Sequence, residues 1–151
     1  MPSPSEVARW LREQHDKIEE LAASLTERVD NSPRVKVDAW LKDLKDEFER
    51  FRAHMQKHFA LEEEGGYLAA VLQDRPGFHD DVQRLRDQHA EAGPLMTSIF
   101  EEVNHLEVGT PLHLLDSCAR IRNLLGILKE HETTEDRLVL QAFSQDMGGN
   151  D

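Results

Sequence analysis

Apolar positions recur along the chain at alternating spacings of three and four, the rhythm of helices that bury one stripe and expose the rest. The first stripe reads Leu11, His15, Ile18, Ala22, Leu25, Val29. Ahead of it, Ser3-Pro4-Ser5-Glu6 supplies a capping serine, a proline at the first helical position and a glutamate placed to close a capping box. A second helix is expected to start at Ser32-Pro33 and to carry Val37, Leu41, Leu44, Phe48, Phe51, Met55, His58 and Glu62 up to Gly65-Gly66. Tyr67 to Gly77 reads as a short helical piece followed by a turn. The third stripe is Val82, Leu85, His89, Ala92, Met96, Ile99, Val103, Leu106, with Pro94 expected to kink the helix near His89. Thr110-Pro111 is expected to cap a fourth helix, whose stripe is Leu114, Cys118, Ile121, Leu124, Leu128, His131, Glu135, Leu138, Ala142. A flexible polar tail is expected from about residue 145 to 151. With no strand alternation, the pattern predicts one all-α domain over residues 1–151, folded as an up-down-up-down four-helix bundle.

Each long stripe is interrupted by one histidine: His15, His58, His89 and His131. At about 1.5 Å per residue, antiparallel packing puts all four roughly 10 to 18 Å from a common end, so they share a layer. Glu62 and Glu135 follow His58 and His131 by four residues and project into the same layer. Two ionised carboxylates in an apolar core need positive partners, and no Lys or Arg stands in these stripes near that height. A cation meets the requirement. Mixed imidazole and carboxylate donors suit iron, manganese or zinc, and two carboxylates able to bridge suit a metal pair. His54 and Glu19, one turn from His58 and His15, are further candidate ligands, and Asp136 competes with Glu135 for the fourth-helix carboxylate. Tyr67 stands either near the open metal positions as a hydrogen-bond donor or in a packing role. His79, His105 and His113 lie outside the stripes, where surface or capping roles suffice. The run Glu62-Glu63-Glu64 reads as a solvated face apart from Glu62.

Composition narrows the partners. Among 151 residues, 30 are Asp or Glu and 18 are Lys or Arg, a formal charge of −12 that repels phosphate backbones and anionic lipid. Nucleic-acid and membrane partners are therefore not expected. One cysteine, Cys118, and the absence of a signal-peptide-like stretch lead to the expectation of a cytoplasmic protein. One chain suffices to build the layer, so a monomer is expected, with a homodimer through an exposed helix stripe as the alternative.

The segments EQHDKIEELAASL, HFALEEEGGYL, LRDQHAEA and ILKEHETTEDRLVLQAF stand in this order on the four expected helices. Through them the chain resembles the hemerythrin-like HHE cation-binding family over nearly its whole length. The resemblance implies a hemerythrin-like bundle around two iron ions joined by an oxo or hydroxo bridge. His15, His58, His89 and His131 would be terminal ligands and Glu62 and Glu135 bridges; zinc or manganese would accept much the same set. The oxygen-carrying members place a His-x-x-x-His pair on the third helix and a carboxylate five residues after the fourth-helix histidine. Here Leu85 and Gly93 flank His89 by four, so the fifth histidine is missing and both metals keep an open position. That departure implies binding of dioxygen, nitric oxide or peroxide in a redox or detoxification role, including a peroxide- or nitric-oxide-reactive oxidoreductase. A metal or oxygen sensor or iron-handling module, and a structural bundle without metal, are the alternatives. Leu11, Met55, Leu85 and Leu128 are expected to shield the layer from water.

Overall fold

The computed structural model describes residues 3–64, 66–74 and 76–148. Helix α1 spans Pro4–Asp30 and opens with the expected capping box: the Glu6 amide donates to Ser3 Oγ at 3.2 Å, and the Ser3 amide donates to Glu6 Oε2 at 3.0 Å. Helix α2 spans Val37–Glu63, so the helix start expected at Ser32-Pro33 is not used. Lys36, in the left-handed region at φ 56°, turns the chain, and Ser32 to Val35 form the connection. Tertiary packing decides this start. Trp40 and Leu41 are the first buried residues of the segment, and Trp40 Nε1 donates to the Arg28 carbonyl at 3.0 Å, fixing α2 against the last turn of α1.

Gly66, at φ 80°, turns the chain into the short α3, Tyr67–Asp74, and a 3-10 turn follows over Pro76–Phe78. Helix α4, His79–Asn104, runs without interruption through Pro94. The Thr110 hydroxyl does not cap the next helix as expected; it donates to the Glu107 carbonyl at 2.9 Å and closes the preceding turn. Helix α5, Pro111–Gly148, continues four residues into the segment expected to be a flexible tail (residues 145 to 148), and residues 149–151 lie outside the described part.

Contacts between helices run in opposite chain directions. Val29, Glu19 and His15 of α1 meet Arg122, Lys129 and Asp136 of α5, while Lys45 and Glu63 of α2 meet Asn104 and His89 of α4. Helix α1 packs on α2 and α5, and α4 packs on α2 and α5. The result is an antiparallel four-helix bundle, with α3 against α1, α2 and α4 at one end.

The apolar interior is divided. A large cluster around Leu25, Leu44, Phe48, Phe51, Ile99 and Ile121 fills the end holding the α1–α2 and α4–α5 connections. A smaller cluster of Leu68, Val82, Leu85, Leu138 and Ala142 fills the other end. Each large side chain buried in these clusters contributes roughly 1.5–3 kcal/mol, so the first cluster carries most of the bundle's stability. Between the two lies a layer that is polar.

Candidate metal centre

The polar layer holds His15 from α1, His58 and Glu62 from α2, His89 from α4, and His131 and Glu135 from α5, all between 0% and 7% exposed. Helical periodicity explains their meeting. Each histidine occupies a stripe position that must face the interior, and each glutamate lies one turn beyond a histidine on the same face. Two groups of donor atoms result, each within 4.8 Å: Glu62, His89, His131 and Glu135 in one, His15, His58 and Glu135 in the other.

The carboxylates lie between the histidine pairs. Glu62 contacts His58 Nε2 through Oε1 and lies 3.1 Å from His89 Nε2 through Oε2. Glu135 Oε1 is 2.8 Å from His131 Nε2 and 3.8 Å from both His15 Nε2 and His58 Nε2. Every histidine therefore turns Nε2 toward a carboxylate at the centre. Three of them use Nδ1 outward: His15 donates to Asp136 Oδ1 at 2.8 Å, His89 to Glu63 Oε1 at 2.8 Å, and His131 to Gln88 Oε1 at 2.5 Å. An acceptor on Nδ1 fixes the proton there and leaves Nε2 as a lone pair, the arrangement a metal-binding imidazole needs.

Two observations show that this donor set fits a cation. His89 Nε2 and His131 Nε2 stand 3.0 Å apart, and because the outward bonds of both rings place a proton on Nδ1, a further proton or a cation is needed between these two atoms. Buried atoms without a hydrogen-bond partner also concentrate here: His15 Nε2, His58 Nε2, both Glu62 oxygens and Glu135 Oε1. Orphaned acceptors cost about 1–3 kcal/mol each, and a cation would satisfy them together. Among the described residues, no lysine or arginine pairs with either carboxylate.

The electrostatics agree. Burial alone would lower His15, but Asp136 and Glu135 outweigh it and raise its pKa to about 10. His58 is raised to about 9 by Glu135 and Glu62 against the same opposing effect of burial. His89 is raised through Glu62 and Glu63, again against burial. Burial pushes Glu135 up, yet its histidine partners hold it well below the usual carboxylate range. Without metal, protons on these imidazoles supply the missing positive charge.

The three further candidates lie outside both groups. Glu19 pairs on the surface with Lys129 Nζ at 2.6 Å. Asp136 is exposed and takes the outer nitrogen of His15. His54 is half-buried beside His58; burial first, then the neighbouring imidazole, lowers its pKa. Tyr67 packs on Trp10 at 4.0 Å between ring centroids, and Trp10 in turn stacks on His58 at 5.2 Å. Cys118 is buried in the large cluster, and His105 Nδ1 donates to the Glu101 carbonyl at the end of α4.

Sequence reasoning overlooked several supporting residues. Glu63 belongs to the site's outer layer and is not merely part of a solvated run. The signal was a repeat: His58-x-x-x-Glu62-Glu63 and His131-x-x-x-Glu135-Asp136, in which the last acid reaches a histidine on another helix. Gln88 had no such signal. Phe59, whose ring stacks on His89 at 4.1 Å, was missed because it sits beside the main stripe. Glu132, 3% exposed, also escaped notice, and burial raises its pKa to about 7 against the pull of His15 and Lys129.

The sequence profile of the hemerythrin HHE cation binding domain matches residues 6–143. No curated protein and no solved structure matches the chain.

Proposed function

The chain belongs to the hemerythrin HHE cation-binding family, and from that premise we propose that it is a non-heme di-iron protein that binds dioxygen, nitric oxide or peroxide. One observation carries the reading: four buried imidazoles direct Nε2 at two central carboxylates, while three hold their outer nitrogens on Asp136, Glu63 and Gln88. His15 and His58 would hold one metal, His89 and His131 the other, and Glu62 and Glu135 would be shared. Two irons bound in this way would supply reversible storage of oxidising equivalents next to an open coordination position. The chain's own residues orient the ligands through the outer hydrogen bonds. They also restrict water through Leu11, Met55, Leu85 and Leu128, all buried.

Zinc or manganese would suit much of this donor set, so the metal is assigned by measurement. Anaerobic purification and metal analysis should give about two irons per chain, with charge-transfer absorption that changes on adding dioxygen, nitric oxide or peroxide. A stable oxygen adduct would favour a carrier, and rapid peroxide consumption would favour an oxidoreductase. One zinc per chain, or no metal, would refute the di-iron reading.

A second reading, an iron or oxygen sensor, is favoured by the divided core. The metal layer separates the large apolar cluster from the small one packed around α3, so occupancy would govern the order of that end. Metal-dependent proteolysis confined to the α3 end would support it. All six central donors come from one chain, which supports a functional monomer with no need of a second copy. Among the described residues, no helix is long and apolar enough to cross a membrane. We read the protein as cytoplasmic, on the strength of its single buried thiol, Cys118.

A further inference from the structure

The four histidines differ in what covers their outer sides. His15, His89 and His131 each hold an acceptor on Nδ1, whereas His58 Nδ1 has no hydrogen-bond partner among the described residues. Over the His58 ring lies Trp10, with 5.2 Å between centroids and planes within 13°. Over Trp10 lies Tyr67, at 4.0 Å and within 16°. Three nearly parallel rings thus lead from a fully buried imidazole to half-buried Tyr67, which opens α3.

The chemistry of this stack is specific. Tyrosine and tryptophan are the two aromatic side chains that readily release one electron, and overlapping parallel faces favour its transfer between them. The other histidine pair is covered by Phe59, which stacks on His89 but does not readily give up an electron. Tyr67 is the only tyrosine of the chain, and the second tryptophan, Trp40, lies in the large apolar cluster with its indole on the Arg28 carbonyl. The oxidisable rings against the site are therefore confined to its His58 side.

Resting on the di-iron reading, we propose that Tyr67 and Trp10 form a one-electron relay between the metal pair and a soluble reductant of the thiol or ascorbate class. Reduction of one peroxide to two waters would take two electrons and two protons, and the two rings would supply the electrons. Each electron comes through Trp10, which Tyr67 refills. In giving up its electron, Tyr67 breaks the phenolic O–H bond, releases the proton to solvent and becomes a neutral phenoxyl radical. One electron from the reductant and one proton from water restore the phenol, and two such cycles complete the reduction of one peroxide. The same route protects the ligands, because an oxidising equivalent that meets no substrate leaves the core through replaceable surface chemistry.

The test uses iron-loaded full-length protein mixed with hydrogen peroxide and freeze-quenched for electron paramagnetic resonance, with iron content measured on every sample. A tyrosyl signal is expected in the natural chain. It should vanish in Tyr67→Phe, which keeps the ring and the stack, vanish in Trp10→Phe, and persist in Trp40→Phe. Adding ascorbate should remove it. Should Trp10→Phe lose two-iron occupancy, the decision falls to Tyr67→Phe, which changes one oxygen atom: the relay then stops at Trp10, so a tryptophanyl signal must replace the tyrosyl one, and its absence overturns the relay. A two-iron natural chain without a protein radical, or a tyrosyl signal that survives Trp10→Phe, overturns the relay while leaving the di-iron reading intact. A natural chain that binds no iron refutes the di-iron reading, and the relay falls with it.

Discussion

In the metal-free protein, protons occupy the role of the metal, and the consequence can be worked out from two histidines. His15 and His58 are raised to about 10 and about 9 by the carboxylates around them, so at pH 7.5 both rings carry a charge in the folded chain. A metal pair that takes both Nε2 lone pairs must displace both protons. Loading is therefore expected to release at least two protons. Two released protons raise the apparent affinity about 100-fold per pH unit, or about 2.7 kcal/mol, between pH 7 and 8.5. Anaerobic calorimetric titration with ferrous iron in buffers of different ionisation enthalpy counts the protons directly. Asp136→Asn supplies the control: it removes one of the two charges that raise His15, keeps an acceptor on Nδ1, and should reduce the proton release.

The stability of the metal-free chain should move the opposite way. A histidine whose folded pKa exceeds its unfolded value of 6.5 stabilises fully below 6.5, and that stability is lost as pH rises through 9 to 10. The contribution is on the order of a few kcal/mol in total, counted once because the same ion pairs hold Glu135 low. Thermal unfolding of the metal-free protein should thus shift to lower temperature from pH 6.5 to 10, while the increment from added metal grows. Release of fewer than one proton, or an affinity flat in pH, would refute this account of the site.

Other substitutions separate the roles assigned to neighbouring residues. Glu135→Gln, at the carboxylate shared by both donor groups, should abolish two-metal occupancy, whereas Glu19→Gln, which alters only a surface pair with Lys129, should retain both metals on elemental analysis. Glu63→Leu removes the acceptor that orients His89 and should weaken metal binding by about 10- to 100-fold in chelator competition without changing stoichiometry. Glu132 has a folded pKa of about 7 against an ordinary 4.5, so the cost of burying its charge develops as pH rises from 4.5 to 7. Glu132→Gln should then stabilise by up to about 3 kcal/mol at pH 8 and by little at pH 4.5, as read from denaturant unfolding at the two values. Phe51→Ala, in the large cluster remote from the metal layer, should cost about 3–5 kcal/mol in the same assay and leave metal stoichiometry unchanged.

Much of this protein was legible in one dimension because helices convert spacing into direction. The stripes predicted most of the buried residues, from Leu11 through Ala142, and placed four histidines and two glutamates at a common height. Two positions, Ala22 and Val37, are only half-buried and pack against the edge of the large cluster. What a single sequence could not assign was which helix faces each outer nitrogen. Asp136 belongs to α5 yet serves His15 of α1, Glu63 belongs to α2 yet serves His89 of α4, and Gln88 of α4 serves His131 of α5. These pairings depend on interhelical register, which periodicity along one helix does not specify. The start of α2 was misplaced for a related reason: a local proline signal yielded to the packing of Trp40 on Arg28. The stack of Tyr67 on Trp10 on His58 likewise joins three elements. The sequence by itself thus determined the bundle, its buried stripes and the convergence of the metal-type donors. Only the tertiary structure decided the outer hydrogen bonds, the aromatic cover and the helix start, because each depends on contacts between residues far apart in the chain.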